Sequence, residues 1–325
     1  MKNFPLACIA GLTAALSLFS AGVAAQGAAF PSRPVKMIVG YPAGSGNDLI
    51  ARAVSQRLSD MWKQPVIVEN KAGASGVIGA DAVARAAPDG YTLLLTGSSH
   101  LIQAAVSRKT PYRALEDFTP VSLVGTGPLI LEINSEVPAK TVQELISLAK
   151  TRPLAYGSAG TGTSPHIAGE MFARAAGIQM THVPYKGSAP AQTDLIGGQV
   201  QAVFQVTQVA LPHVRTNQVR ALAVTGKSRL PDLPNVPTMT EAGLPSASLE
   251  IWWGVLAPTG VPAETQRILN ESVRQAVANP DVQRQLAQAG LLPGSSTPEE
   301  MLRIMRQDYD SFVKIVREAG IKPTD

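Results

Sequence analysis

Cysteine is almost missing from this chain: Cys8 is the only one in 325 residues. An intrachain disulfide and a multi-thiolate metal site are therefore excluded. Aromatic residues are scarce, at 5%, and charged residues amount to 16%. Lys and Arg stand singly, with no dense basic run and no interleaved aromatics, so nucleic acid is not an expected partner. Beyond the N-terminal segment no apolar run is long enough to span a bilayer. The hydrophobic content of 45% is that of an ordinary globular protein, and the length suggests about two domains. The net charge of +4 has two readings, a mild field that favours small anions or a contribution to solubility alone.

Complete catalytic motifs are also missing. No G-x-S-x-G is present: Tyr156 stands two positions before Ser158, and Val77 two positions after Ser75. Gly226-Lys227-Ser228 resembles the end of a phosphate-binding P-loop, but Ala221 occupies the position of its first glycine. Gly44-Ser45-Gly46 begins like a dinucleotide fingerprint, yet Leu49 stands where close helix–sheet packing needs glycine. The four histidines, His100, His166, His182 and His213, are widely spaced. His166 and Glu170 share a helix face, which fits half a zinc site or, more simply, a hydrogen-bonded pair. No cofactor and no metal is expected, and the chain is not read as an enzyme.

What is present begins with an export signal. Lys2 precedes the uncharged stretch Leu6–Val23, which closes on Val23-Ala24-Ala25. Small residues there fit removal of 1–25, with cleavage after Ala25; a retained membrane anchor is the alternative. The mature chain then contains no cysteine, so it needs a large core. Val35–Val39 reads as a strand, Tyr41–Gly46 breaks it, and Leu49, Ile50, Ala53, Val54 and Leu58 recur at helical spacing. Val66–Val68 and Tyr91–Leu95 open two more strand–helix units. This alternation predicts a parallel sheet covered on both faces. Val121–Val137 is extended and reads as the crossover to a second lobe. Thr141-Val142-Gln143-Glu144 has the form of a capping box. Leu154–Ser158, Met180–Val183, Val200–Val206 and Val219–Val224 supply a second small sheet. The proline-rich Ser228–Pro245 returns the chain to Leu249–Ala257. The stripe Met301, Ile304, Met305, Tyr309, Phe312 and Ile315 is read as core.

Two loops, Tyr41–Asp48 and Gly157–His166, each follow a strand and open a helix, one in each lobe. Unsatisfied N–H groups at a helix start carry partial positive charge, and glycine lets an anion approach them. Ser45, Asn47, Thr161, Thr163 and Ser164 add neutral donors, and neither loop holds Lys or Arg. The chemistry suggested is capture of a carboxylate without a covalent step. Each loop taken singly also fits a well-capped helix start.

These segments resemble the periplasmic solute receptors of tripartite tricarboxylate transporters, the Bug or TctC-like proteins. The resemblance runs through Pro31–Val35, Val39–Gly44, Asp48, Ala51-Arg52, Val68–Ala74, Pro88–Leu94, Tyr156–Gly160, Thr163, His166, Val183–Gly187, Gly197–Val200 and Val219–Thr225. It implies a type II periplasmic-binding-protein fold, with two α/β lobes and a ligand cleft between them. The implied division is residues 26–124 with 240–325 for the first lobe and 125–239 for the second. Carried over by position, Tyr41, Ala43, Gly44, Ser45, Asn47 and Asp48 are expected at the ligand from the first lobe, with Ser98 and Ser99 on its far wall. Ser158, Gly160, Thr163, His166, Tyr185 and Gly187 are expected from the second, with Lys186 at its rim. Two positions depart from the family pattern: Ala43 replaces the first of two glycines, and Gln205 stands where Asp is common. A neutral amide at 205 points to a hydroxyl, carbonyl or second carboxyl group on the ligand and away from an ammonium. The expected protein is a periplasmic, monomeric receptor for a C4–C6 or aromatic carboxylate, delivering it to membrane permease subunits. An exported hydrolase, or an orphan sensor for a signalling receptor, is the alternative.

Overall fold

The computed structural model of the chain describes residues 30–107, 109–318 and 320–321. The expected export signal, with Cys8 and the cut after Ala25, lies outside these residues. β1 (Val35–Val39) leads into α1 (Gly46–Trp62), β2 (Val66–Asn70) into α2 (Val77–Ala84), and β3 (Thr92–Gly97) into α3 (Ser99–Val106). β4 (Phe118–Asn134) is the long extended segment, followed by α4 (Val142–Ala149). Then come β5 (Ala155–Ser158), α5 (Ser164–Ala176), β6 (Thr181–Pro184), α6 (Ser188–Ile196), β7 (Ala202–Val206), α7 (Thr207–Arg215) and β8 (Val219–Val224). β9 (Glu250–Pro258), α8 (Ala263–Ala278), α9 (Pro280–Gln288), β10 (Leu292–Pro293) and α10 (Pro298–Glu318) complete the described chain.

The expected parallel units form. β1 lies parallel to β2 and β3, and β5 lies parallel to β6 and β7. The expectation of two separate sheets needs correction. The strands follow one continuous path, β2-β1-β3-β9-β4-β7-β5-β6, with β8 and β10 also paired to β4. The reason is the length of β4. Its first part, Phe118–Pro128, pairs with β9, and its last part, Leu129–Asn134, pairs with β7 and β8. All these pairings are antiparallel, as is β9 against β3. A single strand serving both halves needs no helical crossover, and β9 returns between β3 and β4 in the opposite sense.

Local chemistry explains the helix starts. Ser45 Oγ accepts the Asp48 N–H at 3.3 Å, and Thr141 Oγ1 accepts the Glu144 N–H at 3.1 Å. At α10, Thr297 and Glu300 exchange both capping hydrogen bonds, at 2.9 and 3.2 Å. Met301, Met305 and Phe312 of α10 are buried, as their stripe predicts. One close approach requires glycine. A Cβ on Gly40 would lie 2.7 Å from the Gly76 carbonyl oxygen, and one on Gly79 would lie 2.7 Å from Gly40 Cα. The turn after β2 therefore seats directly on the loop after β1, and the Tyr41 hydroxyl donates to the Ser75 carbonyl at 2.9 Å.

Candidate functional site

The carboxyl ends of the strands gather helix starts around one cavity. Its lining includes Ser45 and Gly46 at the start of α1, Ser98 and Ser99 at α3, and Thr163 and Ser164 at α5. Ser188 opens α6 and Val206 precedes α7 in the same wall. Five helix N-termini thus face one space. Each carries roughly half a positive charge. The residues at the N-caps of α3, α5, α6 and α7 make no side-chain capping hydrogen bond. No residue of the lining is charged; Tyr41, Asn47, Ile251, Trp252 and Trp253 contribute the remaining larger side chains. The cavity volume is about 40 Å³, room for roughly three waters at ~10–15 Å³ each.

The donors are oriented by their neighbours. The Trp253 indole Nε1 donates to Asn47 Oδ1 at 2.8 Å. An indole can only donate, so it takes the amide oxygen and leaves the Asn47 NH2 as the free donor. Ser98 Oγ accepts the Trp252 N–H at 3.0 Å and retains its own proton to give. Ser99 Oγ accepts the Ser164 N–H at 3.0 Å and lies 3.2 Å from Ser164 Oγ, joining the α3 and α5 starts across the cleft. Burial pushes the Tyr41 hydroxyl up to about 12, so it stays protonated.

Of the residues expected from sequence, Tyr41, Ser45, Asn47, Ser98, Ser99 and Thr163 line the cavity. The others stand around it. Ala43 and Gly44 lie exposed on the loop tip. Gly44 has φ +79°, whereas Ala43 is not left-handed, so alanine is tolerated there. Asp48 is buried behind the loop and accepts from Gly44 N, Asn70 Nδ2 and Arg52 Nε. Burial raises its carboxyl, but those hydrogen bonds and the Arg52 charge outweigh it and hold the group below its ordinary range. Gly160 and Tyr185 border a separate outer opening with Lys186. Gly187 precedes α6 against the Pro42 ring. Gln205 stands behind the wall: its amide accepts from Val206 N and donates to Ser188 O and Gln192 Oε1.

Ser158 and His166 belong to a buried cluster under the second loop. Ser158 Oγ lies 2.7 Å from His182 Nε2, and the His182 ring stacks on His166 with centroids 4.1 Å apart. A serine–histidine contact is the geometry of a nucleophile and base. Here the Ser158 side chain is fully buried, accepts the Gly160 N–H and donates toward the Gly160 carbonyl, and it does not reach the cavity. Burial pulls His166 down to about 4; burial and then His166 itself pull His182 down to about 3. The rings stay neutral near pH 7 and pack beneath the loop. Among the described residues no cluster of three or more His, Cys, Asp or Glu could hold a metal. No helix among them is long and apolar enough to cross a membrane.

Sequence reasoning missed the wall supplied by Ile251, Trp252 and Trp253, together with Gly97, Ala159, Pro165, Ser188 and Val206. A signal existed for the first group, since two of the three tryptophans are adjacent in one strand. Which of them faces the cleft depends on the β9 pairing.

Residues 50–321 match the model of the tripartite tricarboxylate transporter family receptor. The chain is 38% identical to Protein BugT of Bordetella pertussis over 96% of its length and 98% of that protein. Among solved structures, the periplasmic binding protein BugD is 32% identical with a TM-score of 0.86, covering 90% of this chain and 99% of that one. Rpa4515 of R. palustris with adipate is 34% identical at 0.88, over 91% and 100% of the two chains. MatC from Rhodopseudomonas palustris with bound malate is 30% identical at 0.84, over 88% and 100%. The fold is that of the periplasmic binding proteins, two α/β lobes with a ligand cleft between them. The chain belongs to the family of tripartite tricarboxylate transporter receptors.

Proposed function

We propose that this protein captures a small organic carboxylate, a C4–C6 or aromatic acid, in the periplasm and delivers it to a membrane permease. One observation carries the reading: five helix N-termini surround a cavity lined by no charged side chain. Such a site favours an anion through backbone N–H groups and short neutral donors, and its lining holds no histidine or carboxylate to activate a hydroxyl. The adipate and malate of the related structures fit the same chemistry. We place the lobe division where β4 changes partners, after Pro128, and where β9 begins, at Glu250. The ligand contacts proposed are the cavity-lining set, Tyr41, Ser45, Asn47, Ser98, Ser99 and Thr163, joined by Ser164, Ser188 and Trp253. Asp48, Ser158, His166 and Gln205 act through the loops and walls they brace.

Thermal-shift screening of the purified protein against organic acids tests this. An acid at one hundred times its Kd should stabilise the protein by about 2.7 kcal/mol. A response to sugars or metal ions, with none to any carboxylate, would overturn the reading. The hydrolase alternative rests on the Ser158–His182 contact. Turnover of a carboxylate ester that Ser158→Ala abolishes would establish it in place of the receptor reading.

A further inference from the structure

Among the described residues, Lys63, Ala74, Ser75 and Asn217 have left-handed backbone without being glycine. Two of them have local reasons. Lys63 is the C-cap of α1, and Asn217 follows the C-cap of α7, where left-handed residues are usual. Ala74 and Ser75 end no helix. They stand side by side between β2 and α2, at φ +45° and +54°, flanked by Gly73 at +140° and Gly76 at +98°. Such strain in residues with a Cβ persists only where the surroundings enforce it, and it gathers at ligand clamps and switches.

The groups that enforce it lie on both sides of the cleft. The base of the turn is fixed by the close approach of Gly76 to Gly40. Its tip is held by the Tyr41 hydroxyl, which donates to the Ser75 carbonyl at 2.9 Å. The Ser75 side chain reaches across to the loop after β5, where a Cβ on Gly160 would lie 2.6 Å from Ser75 Oγ. Glycine at 160 therefore leaves a notch that the serine fills. Two spaces meet at this point. Tyr41 and Ala159 line both the inner cavity, of about 40 Å³, and an outer opening of about 580 Å³. Gly73, Ala74, Ser75 and Gly76 border the outer one. Tyr41 thus stands in the partition between a wide vestibule and a small site, tied to the strained turn.

We propose that the Gly73–Gly76 turn is a strap across the cleft: Tyr41 latches it, Ser75 seats it against Gly160, and a ligand enters or leaves the inner cavity when it lifts. This rests on the inner cavity being the ligand site. Lifting releases the left-handed strain at Ala74 and Ser75, while the hydrogen bond and the filled notch hold the strap down. The strap is down in the free and in the bound protein alike. It therefore sets the rates of uptake and release together and leaves the affinity in place. A residue that merely touches the ligand changes mainly release.

Stopped-flow tryptophan fluorescence with adipate and with malate tests this, since Trp252 and Trp253 line the cavity. Ala74→Gly removes strain at an exposed residue, so the strap should stay down longer and both rates should fall by about tenfold. Ser75→Ala empties the notch and Tyr41→Phe removes the latch, so each should raise the uptake rate by about fivefold. Release should rise equally in Ser75→Ala, and equilibrium titration of Ala74→Gly and Ser75→Ala should return the wild-type Kd. Amide exchange reads the strap without any ligand. The Gly76 N–H donates to the Gly73 carbonyl at 3.0 Å, and its exchange should slow in Ala74→Gly and quicken in the other two variants. Rates of uptake that none of the variants moves, or a change confined to release in Ala74→Gly and Ser75→Ala, would overturn the strap. Failure of the wild type to bind either acid would count against the carboxylate reading instead, and Gly76 exchange of the same sign in all three variants would still overturn the strap.

Discussion

Glu132 sits near the end of β4 with no accessible surface, and neither carboxyl oxygen has a hydrogen-bond partner among the described residues. Burial pushes its pKa from 4.5 up to about 8, with the Gln192 amide pulling weakly the other way. The folded state thus holds a proton that the unfolded chain releases above its ordinary value. Stability is fully present below pH 4.5 and is lost as pH rises through about 8. Glu132→Gln cannot ionise, so its stability relative to the wild type should increase steadily from pH 5 to pH 8. Denaturant melts at several pH values would show this, and a pH-independent difference would refute it. Nothing in Leu131-Glu132-Ile133 announces such a group, because burial on both sheet faces is decided by distant packing. The same limit applies at the site. Sequence identified the loops that hold Ser45, Asn47 and Thr163, but it could not separate them from Asp48, Ser158 and His166. The direction of a side chain is set by what packs behind it.

In the proposed function binding depends on helix starts, and capping separates their two roles. Ser45 caps α1 and lines the cavity, whereas Thr141 caps α4 far from it. Each replacement by alanine should cost about 1 kcal/mol of stability. Only Ser45→Ala should also weaken carboxylate affinity, by about tenfold, when melting curves and titrations are compared. Equal affinity loss in both variants would mean that α1 acts through stability alone. The element order was legible in advance because glycine-rich breaks and helical spacing are local signals. The antiparallel insertion of β9 between β3 and β4 was not, since strand pairing is a contact between segments remote in sequence.

At the scale of the molecule, direct contacts join the two sides of the cleft. Ser99 meets Ser164, and Thr207 Oγ1 donates to the Gly290 carbonyl at 3.1 Å. Gly162 has φ +76°, and a Cβ there would overlap Gln103 Oε1 and lie 2.7 Å from Val106 Cγ2 on α3. Gly162→Ala should therefore act as a wedge. A site split between lobes completes itself only when they approach. The wild type should become more compact in solution scattering on adding a tight acid, and the variant should bind at least about tenfold more weakly and stay wider. Identical profiles for the wild type with and without ligand would count against closure.

The glycine-rich turns, the alternation of strands and helices and the lack of a complete catalytic motif were determined by sequence alone. They are local properties of composition, spacing and backbone freedom; they pointed to alternating strands and helices with two glycine-rich helix starts, while the two-lobed fold followed from the resemblance to the receptor family. Tertiary structure alone decided that five helix starts share one cavity, that Trp253 turns the Asn47 amide, and that Ser75 meets Gly160 across the cleft. Those facts depend on the path of β4 through both lobes and on the return of β9 beside its first part, and no run of neighbouring residues encodes them.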